Sequence, residues 1–291
     1  MRFGLHCRDG FIMSGFSPAW LALREPADVA ARSPAVFKAC ADFFAARPTI
    51  SVCDLGAGTG ASVRAFADLL PDQQQWTLVD HAAENLSAAL QALAVWADET
   101  SVKGTVLIVR RGRKRITVQT RVYDFAQNPA CWPEGTELVT ASALFDLASA
   151  AWIEKCVSAL AATHLPLLAS LTFDGKIQST PSHPLDERVI EQFCLHQTGD
   201  KGFGPAAGPQ AASSLERALK KCGYATTVGE SPWILTRAQD ELLKATAGGI
   251  AGAVAELGAV DASDLAAWLN HQRLQSQRLV IGHRDVFAAI S

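Results

Sequence analysis

The chain has 291 residues, about half of them apolar, enough to bury a sizeable core in one large domain or two small ones. Lys plus Arg (26) minus Asp plus Glu (29) gives a net charge of -3, so no global electrostatic force draws the chain to nucleic acid or an anionic membrane. Seven cysteines (Cys7, Cys40, Cys53, Cys131, Cys156, Cys194 and Cys222) form no CxxC pair and no zinc spacing, and read as reduced, mostly buried thiols of a cytoplasmic protein.

The opening MRFGLHCRDGFI lacks the basic region, apolar run and cleavage site of a secretory signal. It carries no clear structural pattern either, so residues 1–12 read as a loosely held extension. Helices are expected over 17–47, with Ser33 and Pro34 as N-cap and first-turn residues and Val36, Phe37, Cys40 and Phe44 on one face. Residues 1–48 together form an N-terminal extension and helical cap. TISVCDL (49–55) is a short apolar run suited to a buried parallel strand, followed by a helix and a second strand, WTLVDH (76–81). GTVLIVRRGRKRITVQTRVYDFA alternates about a basic turn at Gly112 and predicts a hairpin whose second arm is the third core strand. TELVTAS (136–142) and LPLLASLTFDG (165–175) are the fourth and fifth.

Past residue 175 the pattern loosens into a helix and a Gly/Pro-rich loop, then a strand near YATTVGE, helices over 236–275 and a last strand, RLVIGHRDVFAAI. ATAGGIAGAVAELGAV (245–260) is too short to cross a bilayer and reads as a buried helix. The expected fold is α/β: a doubly wound, mainly parallel seven-stranded sheet with an antiparallel C-terminal strand, N-terminal helices and a helical insertion before the last strand. Residues 49–291 form the main domain, with a lid segment at 178–210 and the insertion at 236–275.

The stretch VCDLGAGTGA (52–61) ends a strand and opens a helix with Gly56, Gly58 and Gly60, which let the backbone bend and a ligand approach without a Cβ in the way. GAGTGA alone also fits a dinucleotide turn. Asp54, two residues before the first glycine, discriminates: its carboxylate suits a cationic amino group and would repel a pyrophosphate. Asp80 ends the second strand, where a carboxylate can take both ribose hydroxyls, and Asp124 ends the third, near where an adenine ring would lie.

Taken in order, VCDLGAGTG, LVDH, VYDFA and LVTASALFDL resemble the class I S-adenosylmethionine (SAM)-dependent methyltransferases over roughly residues 49–175. The resemblance implies that SAM is the cofactor. Asp54 and the loop backbone (Gly56, Ala57, Gly58, Gly60) would hold its methionine part, Asp80 with His81 the ribose, and Asp124 with Phe125 the adenine. Ser142 and Arg24 complete the cofactor set, Arg24 lying where family members fold a helix over the cofactor.

Methyl transfer from a sulfonium is an in-line displacement that needs no metal, but a neutral O or N acceptor must also lose a proton to a base. LHQTGDKGFGP (195–205) supplies His196 and Asp200 as candidate bases and Lys201 and Phe203 for the acceptor, with glycines for mobility. Asp146 is a further candidate base and His183 a further acceptor contact. The Asn/Asp-Pro-Pro-Tyr/Phe motif that grips a flipped base is replaced by TASALFD, which disfavours nucleobase amino groups. The expected partner is a small polar methyl acceptor, with no membrane. The alternatives are a methyltransferase of RNA or protein, a non-catalytic SAM-binding protein and an NAD(P)-dependent oxidoreductase.

Overall fold

The computed structural model describes residues 17–290, so the expected extension at residues 1–12 lies outside the described residues. In chain order the elements are α1 (Pro18–Ala31), α2 (Pro34–Phe44), β1 (Thr49–Leu55), α3 (Ala61–Phe66), β2 (Gln73–Asp80), α4 (Ala83–Trp96), β3 (Glu99–Lys103), β4 (Val106–Arg111), β5 (Lys114–Val122), β6 (Leu138–Ser142), α5 (Ala150–Ala162), β7 (Leu167–Thr180), α6 (Asp186–Gln197), α7 (Ala211–Lys221), β8 (Ala225–Glu230), β9 (Trp233–Thr236), α8 (Asp240–Leu257), α9 (Ala262–Leu274) and β10 (Arg278–Ala289). Short 3-10 turns join several of them.

One sheet runs β3-β4-β5-β2-β1-β6-β7-β10-β8, with β9 added against β10. β5, β2, β1, β6 and β7 are parallel, and β10 is antiparallel between β7 and β8. Those seven strands are the expected sheet, but the whole has ten. β3 escapes sequence detection because all five of its residues are exposed and show no apolar alternation. β9 is only four residues long. The expected hairpin is present as β4 and β5, and its basic run is matched by acids: Arg110 faces Glu99, Arg111 faces Asp98, and Arg113 and Lys114 both reach Asp72. That pairing uses up most of the charge a nucleic acid would need.

Apolar layers fill both faces of the sheet. One joins α2, α3 and α4 to residues such as Ile50, Val52, Trp76 and Leu138; the other joins α5 and α7 to Leu55, Val139 and Leu167. A third cluster sits beyond the sheet, where the far halves of β7 and β10 carry β9, α6, α8 and α9, with Trp20, Leu23 and Ala27 of α1 against them. These elements make a cap. Within the predicted lid segment, 178–180 belong to β7 and 186–197 to α6. No helix among the described residues is long and apolar enough to cross a membrane.

A bulge shapes the upper edge. Leu171 adopts φ 55°, and the register between β7 and β10 shifts there. The fully buried Asp285 holds it: Oδ1 accepts from the Leu171 amide and Oδ2 from the Ser33 amide, both at 2.8 Å. One carboxylate thus fixes the α1–α2 corner onto the sheet, and that corner carries Arg32.

Candidate active site

Leu55 ends β1 and the chain turns through Gly56, Gly58 and Gly60, at φ 66°, 51° and 73°, a region that L side chains rarely enter. β2 fastens this turn. The Ala57 amide donates to the Val79 carbonyl at 3.0 Å, and Asp80 Oδ2 accepts from the Gly58 amide while Oδ1 accepts from the Ala82 amide, each at 2.9 Å. Each carboxylate oxygen has a second lone pair, so Asp80 keeps acceptor capacity for a ribose. His81 is exposed, with Nδ1 3.4 Å from Asp80 Oδ1.

Because Asp80 also anchors the turn, Asp80→Ala would strand two amide donors. We expect the variant to lose about 1–3 kcal/mol of stability, a several-degree fall in melting temperature, together with its ligand affinity. Unchanged values for both in thermal denaturation and titration calorimetry would remove Asp80 from the site.

Asp54 lies beneath the turn, almost fully buried. Its Oδ1 accepts from Thr140 Oγ1 at 2.6 Å, whereas Oδ2 has no hydrogen-bond partner. Burial pushes the carboxyl up to about 7, against the pull of Thr140 and Ser62, with Asp80 raising it and Arg32 lowering it. Arg32 was not among the expected residues. All three of its guanidinium nitrogens are buried without a hydrogen-bond partner, and the group lies over the Phe66 ring, 5.1 Å from its centroid. Burial lowers its pKa, opposed by Asp28, Asp285 and Glu25. An anion and a cation therefore sit within electrostatic reach of each other, each with bonding capacity unspent. They fit a ligand that carries an ammonium and a carboxylate together.

α1 lies across this turn. A Cβ built on Gly58 would sit 3.0 Å from Leu21 Cδ1, and one on Gly56 would sit 3.3 Å from Leu144 Cδ1 and 3.8 Å from Phe125 Cζ. Leu21, Leu144 and Phe125 thus line the face a ligand would use. Arg64 Nε donates to Glu25 Oε1 at 2.7 Å and Arg64 Nη1 to the Thr59 carbonyl at 2.8 Å, tying α1 to the turn. Arg24, expected at the cofactor, instead pairs with Asp28 at 3.0 Å and lies over the Trp233 ring. Asp28 Oδ1 also accepts from Trp233 Nε1.

After β5, Asp124 is exposed and caps its own turn through the Ala126 amide, while Phe125 is buried against Trp152 and Phe203. Phe203 is carried there by the glycine loop after α6, which folds onto the start of α5 through Ala207 N to the Ala148 carbonyl and a bridge between Ser149 and Ala206. Asp200 in that loop accepts from the Gly202 and Gly204 amides, so its carboxylate holds the loop. Lys201 is half-buried and makes no ion pair among the described residues. Ser142 sits at the end of β6, opposite Ser170.

Two histidines lie apart from the turn. His196 Nε2 pairs with Glu256 Oε2 at 2.9 Å between α6 and α8. His183 follows β7, which runs ten residues past Ser170, roughly 30 Å at the rise of a strand. Its Nδ1 accepts from the Leu185 amide, and its ring stacks near His271. Asp146 is different. It follows β6, burial pushes its carboxyl up to about 6 against Arg24 and the Phe173 amide, and Oδ1 has no partner. His283 lies between the rings of Phe173 and Trp233, with burial and Arg24 pressing its pKa down to about 3, so it is neutral. Among the described residues no His, Cys, Asp and Glu group is arranged to hold a metal.

No protein-family model matches the chain, and no curated protein matches it in sequence. Solved structures do match. The cyclopropane-fatty-acyl-phospholipid synthase-like protein of Lactobacillus casei ATCC 334 superposes with a TM-score of 0.51 at 15% identity, over 93% of this chain and 94% of its own. Phosphoethanolamine N-methyltransferase 2 of Haemonchus contortus, in complex with phosphomonomethylethanolamine and S-adenosylhomocysteine, gives 0.44 at 16% identity, over 94% of this chain and 57% of its own. Magnesium protoporphyrin IX methyltransferase of Synechocystis PCC 6803, with bound S-adenosylhomocysteine, gives 0.45 at 12%, over 96% and 90%. With the Lactobacillus protein the overlap is wide enough to speak for a common architecture. The chain therefore has a doubly wound, Rossmann-like α/β fold.

Proposed function

We propose that the chain is a SAM-dependent methyltransferase acting on an O or N atom of a small polar metabolite. The observation that carries this is the glycine turn together with two buried polar groups that lack hydrogen-bond partners, Asp54 Oδ2 beneath the turn and the Arg32 guanidinium at the α1–α2 corner, close enough for Arg32 to pull the Asp54 carboxyl down. The methionyl part of SAM presents the complementary ammonium and carboxylate. A dinucleotide presents a pyrophosphate, which Asp54 repels.

SAM, when bound, supplies an electrophilic methyl group on sulfur. The chain's own residues do the rest. Asp54 and Arg32 hold the amino-acid end, Asp80 the ribose, and the ring of Phe125 frames the adenine. Leu21, Leu144 and the cap keep water from the turn. Asp146 is the favoured base: its unpartnered Oδ1 can take the acceptor's proton, and a carboxyl held at about 6 is ionised at neutral pH yet basic enough to accept one. His196 and Asp200 are less suited, since each already has a partner away from the turn.

A thermal-shift panel of SAM, S-adenosylhomocysteine, NAD and NADP tests the ligand class. Stabilisation by the first two alone is expected, and stabilisation by NAD or NADP alone overturns the proposal. Labelled SAM with fractionated cell extract then tests turnover. Label in a small-molecule fraction is expected; label in RNA or protein would favour the macromolecular alternative, and no transfer a non-catalytic binding protein.

A further inference from the structure

β3 is an open edge. Among the described residues it pairs with β4 alone, all five of its residues are exposed, and Val102 is 71% accessible. An unpaired row of N–H and C=O groups is a template for another strand, and proteins usually blunt it with charge. Here the charges have a pattern. The strand reads ETSVK, an acid at Glu99 and a base at Lys103, placed symmetrically about Ser101.

Laid antiparallel on a second copy about a two-fold axis at Ser101, Glu99 of each chain opposes Lys103 of the other, and Thr100 opposes Val102. Two ion pairs and two pairs of strand-forming side chains result. A parallel arrangement in register would set Glu beside Glu and Lys beside Lys, so charge fixes the direction. Within the chain Glu99 faces Arg110 at 3.6 Å, whereas Lys103 has no ion pair among the described residues. Thr100 and Val102 share the sheet face of their partners Val109 and Leu107, which lie in the apolar layer with α4. Near the end of that helix Val95 is 88% exposed.

We propose that the chain forms a two-fold dimer in which β3 pairs antiparallel with β3 of a second copy, centred on Ser101, joining two ten-stranded sheets into one. Sedimentation velocity on the full chain over a wide concentration range should show a reversible monomer–dimer equilibrium that weakens in high salt. Lys103→Glu sets Glu opposite Glu at both ends and should weaken the dimer about tenfold or more. Glu99→Lys should do the same with lysines. Mixed together, the two variants carry complementary edges and should form a heterodimer. All these positions are exposed, so circular dichroism should be unchanged. A wild type that stays monomeric, its edge bare or covered by its own first sixteen residues, overturns the proposal. So does a dimer indifferent to either substitution, or a mixture of variants that fails to associate.

Discussion

Asp54→Asn should make the ligand-free protein more stable at pH 8 while weakening its hold on SAM at least about tenfold, the loss expected when a charged hydrogen-bond partner goes. The two effects share one cause. The Asp54 carboxyl is raised from 3.8 to about 7 by burial, so between those values the folded state binds a proton that the unfolded state has released. Wild-type stability therefore falls as pH climbs through that window, and the penalty is complete above pH 7. A shift of this size corresponds to about 4 kcal/mol. The asparagine variant escapes it, less the cost of amide hydrogens left without acceptors, so a net gain of about 1–3 kcal/mol is expected at pH 8 and a loss below pH 4. Denaturant unfolding at several pH values measures this directly. SAM affinity should follow the opposite course in the wild type, rising towards pH 7 as the carboxylate ionises. It should fall again as the ligand's α-amino group deprotonates, near 7.7–8.0 for an ordinary amine of this kind. Equal SAM affinity in variant and wild type across that range would sink the ammonium assignment.

Arg32→Met should separate the two halves of the ligand. Loss of the carboxylate partner should weaken SAM by about 1.5–3 kcal/mol, whereas 5′-methylthioadenosine, which has no amino-acid part, should bind as tightly as before. Stability should fall modestly at pH 8, because the methionine keeps an apolar chain over Phe66 but removes the positive charge that favours ionised Asp285 and Asp54. Titration calorimetry with both ligands decides. Equal weakening of both would mean that Arg32 shapes the turn and does not meet the carboxylate.

Arg32 also marks where sequence reading stops. A lone arginine between two helices looks like any solvated helix end, and its burial depends on Asp285, more than 250 residues away in the chain, gripping the Ser33 amide. Ser33 and Pro34 themselves are readable as a helix start, but nothing local reveals what the corner is pressed against. The strands at 49–55 and 138–142 were legible because buried parallel strands are continuous apolar runs. β3, wet on both faces, gave no such signal. The glycine turn and Asp80 stood out through spacing, and the geometry adds that Asp80 is also the turn's anchor. The loop at 199–206 has the composition of a mobile lid. Two of its side chains, however, are engaged locally: Asp200 with two loop amides and Phe203 with the Trp152 ring. Composition reports which groups are available, and only the fold decides which stay free.

The placement of α1 bears on the rate at which the site can be used. The helix touches the turn through Leu21, is bonded to α3 through Glu25 and Arg64, and is bonded to the cap through Asp28 and Trp233. A ligand seated against Gly58 and leaving on the side that α1 covers would require at least the first two of these contacts to let go. Residence time is then set by the opening of a helix and not by the strength of the ligand's own bonds. Tight and weak cofactor analogues should accordingly converge on one slow dissociation rate, with their affinities separated mainly by how fast each enters.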